Sequence, residues 1–318
     1  PMAGRCIGEF ELIRRIRRDI LKEKRAEYGE QIVSALGGRL EQEFGRGFST
    51  QSLRRMIQFA GVFPDLKIVA SLMRQLTWTH FIQLLPIQDP LKRDFYAEMC
   101  RIENWNTRTL ARKIGGMLFE RTALSRKPAQ LAALELKALR EEDKLTPDLV
   151  FRDPYFLDFL GLKDRFLERD LEDAIMREME SFILELGVGF TFVARQKRIS
   201  VDEDDYYLDL LFYHRGLRRL VALDLKLREF QPADKGQMEL YLRWLDKYEK
   251  KQGEDTPIGL ILCAGKKHET VELLELEKSN IRVASYWVKL LPRKLLQRKL
   301  HDAIRLARQR FAGKQIEE

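Results

Sequence analysis

The spacing of apolar residues changes once along the chain, and this change constrains the fold most. Through residue 142, apolar side chains recur at helical intervals, as at Phe10, Ile13, Ile16, Ile20 and Leu21. Beyond residue 187 they fall into runs of strand length: Phe190 to Ile199, Tyr206 to His214, Leu220 to Leu227, Ile258 to Ala264 and Ile281 to Val288. The run from Ile258 is nearly all apolar, which predicts a central strand buried on both faces.

Helix starts punctuate the first part. Ser49, Thr77 and either Asn106 or Thr107 are of N-cap type, and Asp89-Pro90 places proline in a first turn. In the second part, helices are predicted over Leu171 to Leu186, ending at Gly187, and over Ala233 to Lys251. The order is αβββαββ followed by a basic terminal helix from about Pro292, the pattern of an α/β domain with a mixed sheet. With 318 residues, two domains are expected. The proline-bearing breaks at Pro128, Pro147 and Pro154 place the boundary near 145–165. The expected domains are 1–150, a helical DNA- or partner-binding domain, and 151–318.

Charge is unevenly placed. Residues 1–150 hold 26 basic and 19 acidic side chains, and 289–314 holds nine basic and one acidic. Residues 151–288 hold 22 basic and 27 acidic. Basic ends suit a polyanionic partner, and an acidic middle suits a metal site or a solvated face. No apolar run approaches the ~18 residues that span a bilayer, so no membrane partner is expected. The charges beginning at Arg14 and Arg15 argue against a secretory leader. Three widely spaced cysteines, Cys6, Cys100 and Cys263, point to a reducing, cytoplasmic setting.

The third apolar run, Leu220 to Leu227, encloses Asp224 and Lys226. Strand residues two apart share a face, so these two charges point one way while Leu223, Leu225 and Leu227 point the other. The preceding run encloses Asp209. A hairpin through Arg215-Gly216 would bring Asp209 near Asp224. Paired carboxylates suit Mg²⁺ or Mn²⁺, and a neighbouring lysine suits stabilisation of developing negative charge. A strand with one wet face explains the same residues without chemistry. Arg195 and Lys197, two apart on the first strand, should also share a face and are candidates for holding phosphate.

The ordered set Phe182-Ile183-Leu184-Glu185-Leu186-Gly187, Ala194-Arg195-Gln196, Leu208-Asp209-Leu210, Leu223-Asp224-Leu225-Lys226, Gly236-Gln237-Met238, Tyr241 and Ile258-Gly259-Leu260-Ile261-Leu262-Cys263 resembles the PD-(D/E)XK nuclease core. More closely, it resembles the YhcG family of bacterial proteins. Phe48-Ser49, Leu53-Arg54-Arg55-Met56, Leu76-Thr77-Trp78-Thr79-His80 and Arg93-Asp94-Phe95-Tyr96 resemble that family's helical domain. The resemblance implies an all-helical N-terminal domain of winged-helix or helix-turn-helix type, then a restriction-endonuclease-like α/β domain. It implies Asp209 and Asp224 as metal ligands, Lys226 as the catalytic lysine, and Gln237 and Tyr241 as supporting or substrate-contacting groups. Asp224 stands where the superfamily often has Glu, and Leu208 stands where it often has Pro.

Many superfamily members add a glutamate from the first helix. Helical geometry puts Glu172 and Glu178 at the two edges of the apolar stripe, and the resemblance places Glu172 in that role, with Glu178 as the alternative. The helix carrying Arg54 and Arg55 is a candidate DNA-recognition helix, and a solvated basic face explains it equally. No P-loop, dinucleotide fingerprint or paired-histidine zinc spacing is present in the sequence. The expected activity is metal-dependent endonucleolytic hydrolysis of duplex or branched DNA in repair, recombination or defence, by a homo-oligomer or a restriction/repair complex. A non-cleaving nucleic-acid-binding module is the alternative, and RNA is a further substrate class.

Overall fold

The structure is a computed structural model describing residues 26–44, 48–162 and 166–317. Cys6 and the stripe from Phe10 to Leu21 lie outside these residues. The chain divides into two compact units, one ending at Gly116 and the other beginning at Met117.

Among its described residues the first unit is helical, with no wing strand: α1 Ala26–Phe44, α2 Thr50–Val62, α3 Leu66–Leu72, α4 Trp78–Leu84, α5 Pro90–Ile102 and α6 Thr107–Gly115. Caps set these boundaries. Ser49 accepts from Ser52 N, Asp65 from Lys67 N, Asp89 from Leu91 N and Asn106 from Thr109 N. Each cap satisfies an amide that the helix itself cannot. His80 Nδ1 accepts from Thr77 N, leaving Nε2–H to donate to the Trp105 carbonyl at 3.0 Å. Phe59, Phe63, Trp78 and Phe81 meet edge to face or tilted and anchor the core. Arg54 and Arg55 are exposed on α2, whose Leu53 and Phe59 are buried.

The second unit begins with α7 Leu118–Arg121, α8 Ala129–Glu142 and α9 Pro147–Val150, then β1 Tyr155–Phe156, α10 Glu168–Arg177 and α11 Met179–Leu186. It continues through β2 Phe190–Val201, β3 Asp204–His214, β4 Arg219–Glu229, α12 Pro232–Tyr248, β5 Ile258–Gly265, α13 His268–Leu273, β6 Ile281–Trp287 and α14 Arg293–Glu317. Residues 117–150, placed with the helical part on sequence grounds, group with the sheet. Charge pairs tie them there: Arg121 to Glu185 at 2.5 Å, Arg126 to Asp153 at 2.9 Å and Asp148 to Arg282 at 2.8 Å.

The six strands form one mixed sheet in the order β1-β6-β5-β4-β3-β2. β2, β3 and β4 are antiparallel neighbours, while β4, β5, β6 and β1 run parallel. The short β1 was not expected. The helix expected over Leu171 to Leu186 is interrupted at Glu178 (φ −105°, ψ 31°), where no proline or glycine announces a break. β5 is buried from Ile258 to Cys263, as its apolar run predicts.

Two cores cover the sheet. One joins α10 and α11 to Val221, Leu223 and Leu225, and the other joins α12 to Leu220, Ala222, Ile261 and Cys263. Gly259 lets α12 approach β5: a Cβ there would stand 2.5 Å from Met238 Cγ. No helix among the described residues is long and apolar enough to cross a membrane.

Candidate active site

The β3–β4 ladder pairs Phe212 with Val221, Leu211 with Ala222 and Leu210 with Leu223, and there it ends. Asp209 and Asp224 are the next residues in that register, at the fork where the two strands part. Beyond the fork, the Leu225 amide donates to Asp209 Oδ2 at 2.8 Å in place of a strand carbonyl. A side chain thereby fills a broken rung and holds the Asp209 carboxylate. Leu223 and Leu225 belong to the α10 core, which turns Asp224 and Lys226 to the opposite face. Lys226 Nζ lies 2.8 Å from Asp224 Oδ2.

Asp224 is 3 % exposed. Burial pushes its carboxyl up to about 7; Lys226 opposes the rise and Asp209 adds to it. Asp209 is also raised, mainly by burial, with the Leu225 amide opposing and Glu172 contributing. Lys226 is held above its ordinary value because Asp224 outweighs the penalty of burying its charge. Two carboxylates, Asp224 buried and Asp209 half-buried, thus lie in the field of one ammonium. The surplus is acidic, and the oxygen donors are those a hard divalent cation takes.

Glu172 is buried on α10, and its two oxygens are engaged. Arg195 Nε donates to Oε1 at 2.5 Å and Gln196 Nε2 to Oε2 at 3.0 Å. The same Gln196 Nε2 donates to Asp209 Oδ1 at 3.2 Å. These side chains line a pocket of about 370 Å³ with Glu168, Arg169 and Leu225. Among the described residues, no three of His, Cys, Asp or Glu converge closely enough to form a ready-made metal cage. The donor chemistry fits a cation at Asp209 and Asp224, while Glu172 is occupied by Arg195 and Gln196.

Arg195 and Lys197 part company, contrary to the expectation that they share a face. Arg195 reaches Glu172 and Asp173 of α10 on one side of the sheet. Lys197 pairs with Glu249 at 2.6 Å and lies 5.9 Å over the Trp244 ring, on the α12 side. The cause is Gln196, which lies between them with φ +47°, a left-handed conformation within a strand. Strand alternation requires extended backbone, and one left-handed residue reverses it. β3 compensates: Leu208 packs in the α12 core and Leu210 in the α10 core, so alternation is also lost at Asp209. The neighbouring pairs Arg195–Leu210 and Lys197–Leu208 set Gln196 opposite Asp209. Such backbone conformations cost on the order of 1–3 kcal/mol and cluster at functional sites.

Gln237 Nε2 donates to the Tyr241 hydroxyl at 2.6 Å, which donates to the Tyr207 carbonyl at 3.3 Å. Tyr241 is buried, and its hydroxyl is raised by burial, with Asp224 and Asp209 among the contributors. The hydroxyl thus rests on the backbone two residues before Asp209. Arg54 and Arg55 belong to the first unit. Three residues of the neighbourhood were missed on sequence grounds. Gln196 is one, although it closes the Ala194-Arg195-Gln196 word. Glu168, one helical turn before Glu172, accepts from Leu227 N at 3.1 Å. Asp234, 2 % exposed in the first turn of α12, holds Arg228 through both oxygens and accepts from Gln231 N. Its position just after Gln231-Pro232 is the available signal, since acids favour first turns.

Residues 148–301 match the YhcG PDDEXK nuclease domain, and residues 8–121 match the DUF1016 N-terminal domain. The YhcG protein of Escherichia coli (strain K12) is 34% identical over 292 residues, covering 83% of this chain and 75% of its own length. Two solved structures overlap with 41% of this chain. A repair endonuclease from Pyrococcus abyssi does so at TM-score 0.27 and 19% identity, over 50% of its length. EndoMS in complex with dsDNA does so at TM-score 0.29 and 18% identity, over 49% of its length. This chain thus spans about half the length of each. From its two matched domains and the extent of its identity to the Escherichia coli protein, the chain belongs to the YhcG family, whose C-terminal domain is a PDDEXK nuclease domain.

Proposed function

We propose that the chain is a divalent-cation-dependent DNA endonuclease with its centre at the β3–β4 fork. The observation that carries this reading is the placement of Asp209 and Asp224 one register step beyond the last ladder pair, with Lys226 at 2.8 Å. Asp209 and Asp224 would hold Mg²⁺ or Mn²⁺, with Glu172 as a third donor once released from its partners. The cation, when bound, lowers the pKa of water and neutralises charge on the phosphate. Lys226, charged and directed to the same face as Asp224, orients the attacking water and stabilises the charge that develops on phosphate oxygens. Tyr241, tied to Gln237, supports the wall beside it. Arg54 and Arg55 on α2 supply cations for the DNA backbone.

The reading is tested by a cleavage panel over linear, nicked and branched DNA with Mg²⁺ or Mn²⁺. Lys226→Ala and Asp224→Ala should each lower cleavage by roughly 10³-fold while leaving DNA binding nearly unchanged. Equal cleavage by all three proteins would overturn the centre. The second reading, a non-cleaving DNA-binding module, is favoured by the engagement of both Glu172 oxygens. Salt-dependent DNA binding without nicking under either cation would select it. RNA and branched DNA as competitors distinguish the substrate class, and the same panel with a partner complex addresses repair or restriction roles.

A further inference from the structure

Gln196 combines two features that neither folding nor the sheet requires. Its backbone is left-handed (φ +47°) in the interior of a strand, and the residue is a long amide, which gains nothing there over glycine. Its side chain supplies the missing reason. One amide nitrogen donates to Glu172 Oε2 at 3.0 Å and to Asp209 Oδ1 at 3.2 Å, so both of its hydrogens are aimed at carboxylates. Ionised carboxylates only accept hydrogen bonds, which fixes the amide with nitrogen rather than oxygen inward. The backbone irregularity is matched on the opposite strand, where Asp209 marks the loss of alternation between Leu208 and Leu210. The two strands are thus deformed together at the point where the amide meets the acids.

We propose that Gln196 is a positioning residue that stands in for the cation: its amide holds Glu172 and Asp209 against their mutual repulsion until a divalent cation takes over that task. This rests on the reading of the fork carboxylates as a cation site. Two like charges held close in a partly buried pocket repel strongly, and Lys226 is paired to Asp224 instead. The amide offers two N–H dipoles, and a divalent cation offers full charge, so both serve the same oxygens and compete for them. Arg195 secures the other oxygen of Glu172 and Leu225 N the other oxygen of Asp209. Each carboxylate is therefore held by one fixed donor and shares the exchangeable one. Removing the amide should weaken the cation-free protein and leave the cation-bound protein nearly untouched.

Thermal unfolding in EDTA and in saturating Mn²⁺ tests this without reference to cleavage. Gln196→Ala should unfold roughly 3–6 °C below wild type in EDTA and within about 1 °C of it in Mn²⁺, so that its Mn²⁺-induced shift is the larger. Gln196→Gly relieves the left-handed backbone and so folds even if the alanine variant does not. For this variant the readout is the excess Mn²⁺ shift over wild type. A deficit equal in EDTA and Mn²⁺, or a smaller shift in either variant, would overturn the role assigned to Gln196. A wild-type protein whose unfolding does not move with Mn²⁺ or Mg²⁺ would overturn the cation site itself, a failure distinct from the first.

Discussion

The sheet unit encloses acids in two places, and it treats them oppositely. Asp153, between α9 and β1, is met by Lys266 at 2.7 Å, Arg126 at 2.9 Å and the Ser285 amide at 2.9 Å. Despite burial, Lys266 and Arg126 hold its carboxyl far below the usual carboxylate range. Glu185 nearby is likewise lowered, with Arg121 and Arg152 overcoming the cost of burial. At the β3–β4 fork, Asp209 and Asp224 share Lys226, and both are raised. The first arrangement is over-compensated and fastens segments distant in sequence. The second is under-compensated and leaves acidic charge that the fold does not use. Buried groups pushed away from their ordinary state mark functional sites, and the contrast within one unit gives the fork that character.

Removing an acid should therefore have opposite consequences at the two places. Asp153→Ala leaves the half-buried Lys266 and Arg126 without their carboxylate and should destabilise the protein by about 1–3 kcal/mol. Asp224→Asn removes a carboxylate that burial disfavours, at the expense of Lys226, and should leave the protein in EDTA at neutral pH at least as stable as wild type. Urea unfolding of the two variants beside wild type measures both. Comparable large losses would erase the distinction.

The dependence on pH separates the two acids further. The folded value of Asp153 lies below its unfolded one, so its contribution is complete above the ordinary carboxylate range, near pH 4, and is lost as pH falls below it. The folded value of Asp224, about 7, lies above its unfolded one. In EDTA its ionisation thus costs stability fully above about pH 7, and the cost fades as pH falls toward 4. Melting temperatures of wild type relative to Asp153→Asn should converge only in acid below about pH 4. Relative to Asp224→Asn, wild type should gain between about pH 7 and 4. Parallel pH curves for the two variants would contradict these assignments.

Much of this was legible in the sequence. The five apolar runs mark the five long strands, and the alternation across Leu223, Asp224, Leu225 and Lys226 assigns the two charges to one face. The hairpin brings Asp209 to Asp224, as the spacing suggests. Other features left no signal. β1 has only two residues, too few for periodicity. The attachment of residues 117–150 depends on ion pairs such as Asp148–Arg282, 134 residues apart, which local patterning cannot show. The reversal at Gln196 depends on a left-handed φ in a residue type that rarely adopts it, so the rule that places Arg195 and Lys197 on one face fails there.

The central claim is that the fork carboxylates form a divalent-cation site. Calorimetric titration of Mn²⁺ into wild type, Asp209→Asn and Asp224→Asn tests it most directly. The account predicts one saturable site per chain in wild type, weakened at least about tenfold in each variant, the equivalent of about 1.4 kcal/mol. Unchanged Mn²⁺ affinity in both variants would contradict it.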